Sequence, residues 1–260
     1  MNVKLEAKSP PEVINALCPI CPGESVSNYV HKMQDSSSKD ISYWNQCRCG
    51  VVWQHRYPDE VKKYYDKEYI KVLLEDKVKY SDSCYYYSRV YAQIIEELMY
   101  GRKLLDVGYM SPYNMQAFSI RGWVPFGIEV NPDASESNRL IKGDFENYEF
   151  PDRMKYDLIW MNHVIENMKD PVAALKRTFD LLTPNGTVFI ATPDTDILYV
   201  NSSGSFKYWA EHENYIMWNK DSLSKKLEEI GFEIIVSRRN TDVRFTYTND
   251  LHLIAQKKFF

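Results

Sequence analysis

Two short stretches of the chain, CPICPG and CRCG, each carry a close pair of thiols: Cys18 with Cys21, and Cys47 with Cys49. Four thiolates brought together are the donor set of tetrahedral Zn²⁺. In a reducing compartment, clustered cysteines bind metal more often than they form disulfides. Pro22-Gly23 and Gly50 allow tight knuckles that turn backbone N–H groups toward sulfur. The second pair, with only Arg48 between its members, is tighter than the usual two-residue spacing. The same residues therefore also admit a set of three cysteines plus His31, or free thiols. Four sulfur ligands leave no position open for substrate, so such an ion is structural. It staples a segment too short to hold its own core. Cys84, alone among tyrosines, reads as a small buried apolar group.

A second set of polar residues is spaced for nucleotide chemistry. In LLDVGYMSPYN (104–114) an apolar run enters Asp106 and Gly108, where an α/β domain bends its chain around a cofactor. Further glycines would let the backbone approach a ligand, but Tyr109, Met110 and Pro112 follow instead. Tyr109 and Tyr113 offer rings to stack on or cap a ligand. About twenty residues on stands Glu129, at the spacing of a carboxylate that accepts both ribose hydroxyls. Gly143-Asp144-Phe145 puts an acid beside an aromatic, and Asn162-His163-Val164-Ile165-Glu166 places an amide, an imidazole and a carboxylate together. His163 with Glu166, or His212 with Glu213 further on, is a candidate proton acceptor.

These residues need a sheet to line them up. After Gly101, apolar runs alternate with amphipathic ones: KLLDVG, WVPFGIEV, RLIKGD, YDLIWMNHV and TVFIATP read as strands, separated by helical patterns. In DPVAALKRTFDLL, Asp170 is the cap and Pro171 the first helical residue, with an apolar stripe through Val172, Leu175, Phe179 and Leu182. EIIVSRR and LHLIAQK leave no room for a helix between them and should be antiparallel. The expected fold is α/β: a Rossmann-like, doubly wound, mostly parallel seven-stranded sheet with an antiparallel C-terminal strand, plus a small N-terminal zinc-ribbon-like module. The expected division is residues 1–57 for the zinc module, with ISYWNQCRCGVVWQH a hairpin; 58–100 for a helical linker and cap, whose amphipathic helix begins near 84; and 101–260 for the main domain. Ligands of such sheets bind beyond the carboxyl ends of the strands, where all the polar residues above fall.

On these motifs the stretch from about 85 to 260 resembles the class I S-adenosylmethionine-dependent methyltransferases. LLDVG is similar to the family's first motif, GIEVNPDA to its second and GDFENY to its third, while YDLIWMNHVIENMKDP resembles the segment around its fourth strand. A cysteine-rich module ahead of this domain is familiar from methyltransferases of sugars and other small metabolites. The resemblance implies S-adenosylmethionine as cofactor, with Glu129 on the ribose, Asp144 and Phe145 on the adenine, and the loop from Asp106 through Gly108 and Tyr109 under the methionine part. Asn162 belongs to the same edge.

A net charge of −4 argues against a nucleic-acid partner held through phosphates. No apolar run approaches the length needed to cross a bilayer, and the N-terminus lacks a signal-peptide core, which points to a cytoplasmic protein. The expected substrate is a small polar acceptor, a sugar or nucleotide-linked sugar, facing a long loop that carries Tyr199, Phe206, Tyr208, Trp209 and Tyr215. Two other classes compete: a degenerate relative with a zinc-ribbon binding or regulatory role, and a nicotinamide-dependent reductase, which should show three glycines in its loop.

Overall fold

Strand-forming runs rich in Leu, Ile, Val, Phe and Trp build the centre of the chain. A computed structural model describes residues 17–21, 27–34, 41–54, 77–110, 113–131, 134, 136–198, 214–240 and 250–258. Its main sheet contains β4 (Lys103–Val107), β5 (Val124–Glu129), β6 (Leu140–Lys142), β7 (Tyr156–Asn162), β8 (Leu182–Pro193), β10 (Phe232–Arg239) and β11 (Asp250–Lys257). Their order is β6-β5-β4-β7-β8-β11-β10. The first five lie parallel, and β11 runs antiparallel to both β8 and β10. The chain leaves β4 toward β5 on one side and returns to β7 on the other. That reversal opens a crevice at the carboxyl ends.

Helices cover both faces. α1 (Lys77–Leu98) buries Ser88, Tyr91, Ala92 and Ile95, at the spacing of one helical face. Together with Phe118 of α2 (Tyr113–Ile120) it packs on Leu104, Leu158, Trp160 and Phe189. Trp160 and Phe189 stack with centroids 3.8 Å apart. On the opposite face lie α3 (Pro171–Leu181) and α5 (Lys220–Ile230), sharing a core of Leu175, Leu181, Leu223 and Leu227 with Ile159, Met161 and Ile190. The Asp170 side chain accepts the Ala173 N–H at 2.9 Å with Pro171 opening α3, as the sequence indicates. Asn219 and Ser222 form a reciprocal capping box on α5, which closes at Gly231 with φ 117°.

A second sheet holds the cysteines. β1 (Ser27–Gln34), β2 (Ile41–Gln46) and β3 (Val52–Gln54) form an antiparallel meander, with the expected hairpin registering Trp44 opposite Gln54 and Gln46 opposite Val52. Its fourth strand comes from far away: β9 (Ile216–Met217) pairs with β3, placing Met217 opposite Val52 and Ile216 opposite Trp53. Cys18, Ile20, Cys47, Val51 and Trp53 join the same apolar core as Ile216, Trp218 and Leu223. The N-terminal module and the main domain thus share a sheet and a core. The helices expected within 58–76 and the aromatic loop residues Tyr199, Phe206, Tyr208 and Trp209 lie outside the described residues, as do His212, Glu213 and Pro112. Among the described residues, no helix is long and apolar enough to cross a membrane.

Candidate active site at the carboxyl edge of the sheet

β4 delivers Asp106 and Gly108 to the crevice. Gly108 has φ 70°, and an added Cβ would come within 2.9 Å of Val164 Cγ2, so the turn needs glycine here. Its N–H donates to the Ile128 carbonyl at 2.8 Å, tying the loop to β5. Tyr109 does not stand out into the crevice. Its ring lies on Gly127, where a Cβ would meet Tyr109 Cδ1 at 2.5 Å, and the residue is buried. Burial and the charges of Glu129 and Glu136 push its hydroxyl pKa up to about 12. Met110 then adopts φ 39°, a left-handed conformation uncommon outside glycine. That turn aims the Met110 N–H at Glu129 Oε2, 2.9 Å away, while Glu129 Oε1 accepts the Asn131 N–H at 2.9 Å. The chain thus bends where a second glycine would sit, held by the carboxylate at the end of β5.

Four further groups complete this half of the site. Asp106 is buried; burial first, and then the charge of Glu129, hold its carboxyl well above the usual carboxylate range, against a hydrogen bond with Asn114. Its Oδ2 has no protein partner, and neither does the buried Oδ1 of Asn162 at the end of β7. Asp144, at the turn after β6, accepts Glu146 N–H and Asn147 Nδ2, each at 3.0 Å. Phe145 beside it is buried, edge-on to Phe150 at 6.0 Å between centroids. Two orphaned buried polar oxygens and a glycine cradle fit a polar ligand lying across the ends of β4, β5 and β7. Each Glu129 oxygen keeps a lone pair for a hydroxyl donor.

The second half centres on His163, which follows β7 with φ 55°. Its Nδ1 lies 3.0 Å from Glu166 Oε1, and its Nε2 lies 2.9 Å from Asp250 Oδ2. Glu166, on the 3₁₀ turn Ile165–Asn167, also accepts the Thr192 hydroxyl at 3.0 Å. Burial alone would lower the imidazole pKa. Asp250, followed by Glu166, outweighs it and holds His163 well above its ordinary value. With a carboxylate on each nitrogen, the ring is an imidazolium donating both protons. Behind it, burial and the His163 charge push His252 down to about 3, so that imidazole is neutral. Asp250 is the residue that motif reading passes over. The available signal was the final antiparallel strand, whose first residue must return to the carboxyl edge.

The four cysteines converge as their spacing suggests. Their sulfurs all lie within 4.8 Å of one another, and Cys18 Sγ is 3.9 Å from Cys49 Sγ. Tetrahedral thiolates around Zn²⁺ at the usual bond length sit about 3.8 Å apart. The Ile20 N–H points at Cys18 Sγ and the Cys49 N–H at Cys47 Sγ, both at 3.5 Å, giving each pair a knuckle amide. The hydrogen bond from Cys49 brings the Cys18 thiol down to about 5, while the Cys49 thiol is pushed up.

A family model described as a methyltransferase domain matches residues 81–237. The ubiquinone biosynthesis O-methyltransferase of Vibrio vulnificus is 23% identical over 151 residues, covering 54% of this chain and 64% of that protein. The chain thus spans less than two thirds of that curated relative's length. Among solved structures, the 1,6-didemethyltoxoflavin-N1-methyltransferase of Burkholderia thailandensis, with bound 1,6-didemethyltoxoflavin and S-adenosylhomocysteine, superposes with a TM-score of 0.57. It is 15% identical, and the match covers 88% of this chain and 99% of that one. The magnesium protoporphyrin IX methyltransferase of Synechocystis PCC 6803, with bound S-adenosylhomocysteine, gives a TM-score of 0.53 at 14% identity, over 76% and 98% of the two chains. With its strand order, its antiparallel β11 and a family match over more than half its length, the chain belongs to the class I S-adenosylmethionine-dependent methyltransferase family.

Proposed function

We propose that the protein transfers a methyl group from S-adenosylmethionine to a small polar acceptor. The observation that carries this reading is the carboxyl-edge cradle: Gly108 at positive φ, Glu129 with a free lone pair on each oxygen, and the orphaned Asp106 Oδ2 and Asn162 Oδ1 around one crevice. In this assignment Glu129 holds the ribose, Asp144 and Phe145 border the adenine, and the Asp106–Tyr109 turn carries the methionine part. S-adenosylmethionine, when bound, supplies an electrophilic methyl on a positively charged sulfur. The chain's task is to hold the two reactants in line and to accept a proton where the acceptor is a hydroxyl or amine. Both N–H groups of His163 are engaged by Glu166 and Asp250. We therefore assign proton acceptance to His212 with Glu213, and give His163 and Glu166 the role of a rigid charged floor beneath the acceptor.

The names of the relatives support a small acceptor: one acts in ubiquinone biosynthesis, another on 1,6-didemethyltoxoflavin. A sugar or nucleotide-linked sugar is the finer proposal. It rests on the loop aromatics, of which Tyr215 is described: it is half-buried and packs on the shared core. The four-cysteine cluster is proposed as a structural Zn²⁺ site.

Labelled S-adenosylmethionine incubated with the protein and with small-metabolite, RNA and protein fractions tests the reading. Label is expected in the small-metabolite fraction; transfer only to macromolecules would overturn it, and transfer to none would favour a degenerate relative. Replacing Glu129 with Ala should weaken S-adenosylhomocysteine binding by about 1–3 kcal/mol in titration calorimetry, through loss of hydrogen bonds to a charged acceptor. The same change releases the Met110 and Asn131 amides, so the loop loosens as well. Unchanged affinity would mean that the carboxylate serves the loop alone.

A further inference from the structure

The cysteine knuckle and β3 touch the catalytic edge through a chain of hydrogen bonds that a merely self-contained module would not need. Gln54, the last residue of β3, donates its backbone N–H to the Tyr215 carbonyl at 2.8 Å and its side-chain Nε2 to the Asn214 carbonyl at 2.6 Å. The Tyr215 N–H in turn donates to the Glu166 carbonyl at 2.8 Å, and Glu166 holds His163. Residues 214–218 are thus strung between β3 and the 3₁₀ turn beyond β7. Trp218 closes the stretch by bridging to Asp194, just past β8, and accepting the Thr195 N–H at 2.9 Å.

The knuckle holds the other side of the same crossing. The Gly50 carbonyl accepts the Thr195 hydroxyl at 3.2 Å, at the start of α4 (Thr195–Leu198). Gly50 has φ 91°, and a Cβ there would lie 2.1 Å from Asn219 Nδ2, the N-cap of α5. The turn that places Cys47 and Cys49 therefore also seats Thr195 and Asn219. Residues on both sides of the stretch 199–213, Thr195 before it and Asn214–Trp218 after it, lean on one knuckle and one strand. None of these contacts involves Gly108, Glu129 or Asp144.

We propose that Gln54 and the cysteine knuckle beneath it are positioning elements for the methyl acceptor: they fix residues 214–218 and the Glu166 backbone, and leave the cofactor half of the site to the main sheet. This rests on the methyl-transfer reading above. A metal held by Cys18, Cys21, Cys47 and Cys49 would then, through the Gly50 turn, also steady Thr195 and Asn219 beside the acceptor side of the site.

The test uses the full-length protein with its metal. Gln54→Ala retains all four cysteines and should retain the zinc. Amide hydrogen exchange over residues 214–218 is expected to rise about ten-fold, the effect of losing one hydrogen bond, while residues 103–129 are unchanged. S-adenosylhomocysteine affinity should stay within about two-fold. In the labelled-methyl assay, titrated by dilution of the small-metabolite fraction, the apparent acceptor KM should rise about ten-fold with the cofactor KM unmoved. A loss of folded protein would instead lower turnover at all concentrations. Chelation of the metal should loosen 214–218 before 103–129; if it unfolds the whole chain, Gln54→Ala decides alone. Unchanged exchange at 214–218 in that variant, or cofactor affinity weakening in step with the acceptor KM, overturns the proposal. Absence of methyl transfer to any fraction defeats the methyl-transfer reading, while the exchange measurements still judge the positioning contacts.

Discussion

Replacing His163 with Gln is expected to cost about 3–5 kcal/mol of stability at neutral pH, because it leaves Glu166 and Asp250 buried without their shared cation. Both carboxylate side chains are 1% exposed, so water cannot take over the lost charge. Urea unfolding of the two proteins measures the difference. Its pH dependence gives a second readout. The folded-state pKa of His163 is raised above the unfolded value. The ring therefore contributes its full stabilisation below the unfolded pKa of about 6.5 and loses it as pH rises through the folded value. The gap between wild type and variant should be widest in mildly acidic and neutral buffer and shrink in alkaline buffer. A gap below about 1 kcal/mol, or one that widens with alkali, would mean that the ring is not held as a cation.

The second large effect is expected at the cysteines. Protein prepared without added metal should carry about one zinc per chain by elemental analysis, since four sulfurs within 4.8 Å form a complete tetrahedral donor set. Cys47→Ser removes a ligand and should release most of that zinc. It should also lower the unfolding midpoint sharply, because the free energy of binding a structural metal is folding free energy. The loss should reach into the main domain, since Cys47 and Cys18 pack in one core with Trp218, Leu223 and Leu227. Less than about a tenth of an equivalent in folded wild-type protein would sink the metal assignment.

Much of this architecture is legible in the sequence because it is written in local signals. The strands of the main sheet contain apolar runs, with β4 set between Gly101 and Gly108, and α3 announces itself through Asp170, Pro171 and its apolar stripe. The antiparallel end of the sheet follows from chain length alone, there being no room for a crossover helix. The cysteine cluster follows from its two knuckles. What local signals do not carry is pairing between distant segments. β9 is two residues long and has no periodicity to read, yet it completes a sheet begun at Ser27. Asp250 looks like an ordinary turn residue until β11 is known to bring it to His163. Tyr109 reads as a ring free to cap a ligand, but Gly127 opposite it leaves a space that the ring fills. The loop that seemed to have lost its glycines keeps the bend by another means: Met110 takes the left-handed conformation, and Glu129 secures its amide.

The pairing of β3 with β9 also governs the order in which the molecule can be made. Residues up to Gln54 carry three strands and four cysteines, but the strand that covers the edge of β3 follows some 160 residues later. Until residue 217 leaves the ribosome, Val52–Gln54 would lack its β9 partner, and an unpaired edge is the kind of surface that recruits stray strands. Early metal capture by the two knuckles would tie down the nascent segment through that interval. A chain begun after Gln54 would face the converse problem, with Ile216 and Trp218 bare on an otherwise finished sheet domain. Separate expression of the segments before and after Gln54 should therefore yield aggregates, and co-expression should yield a complex.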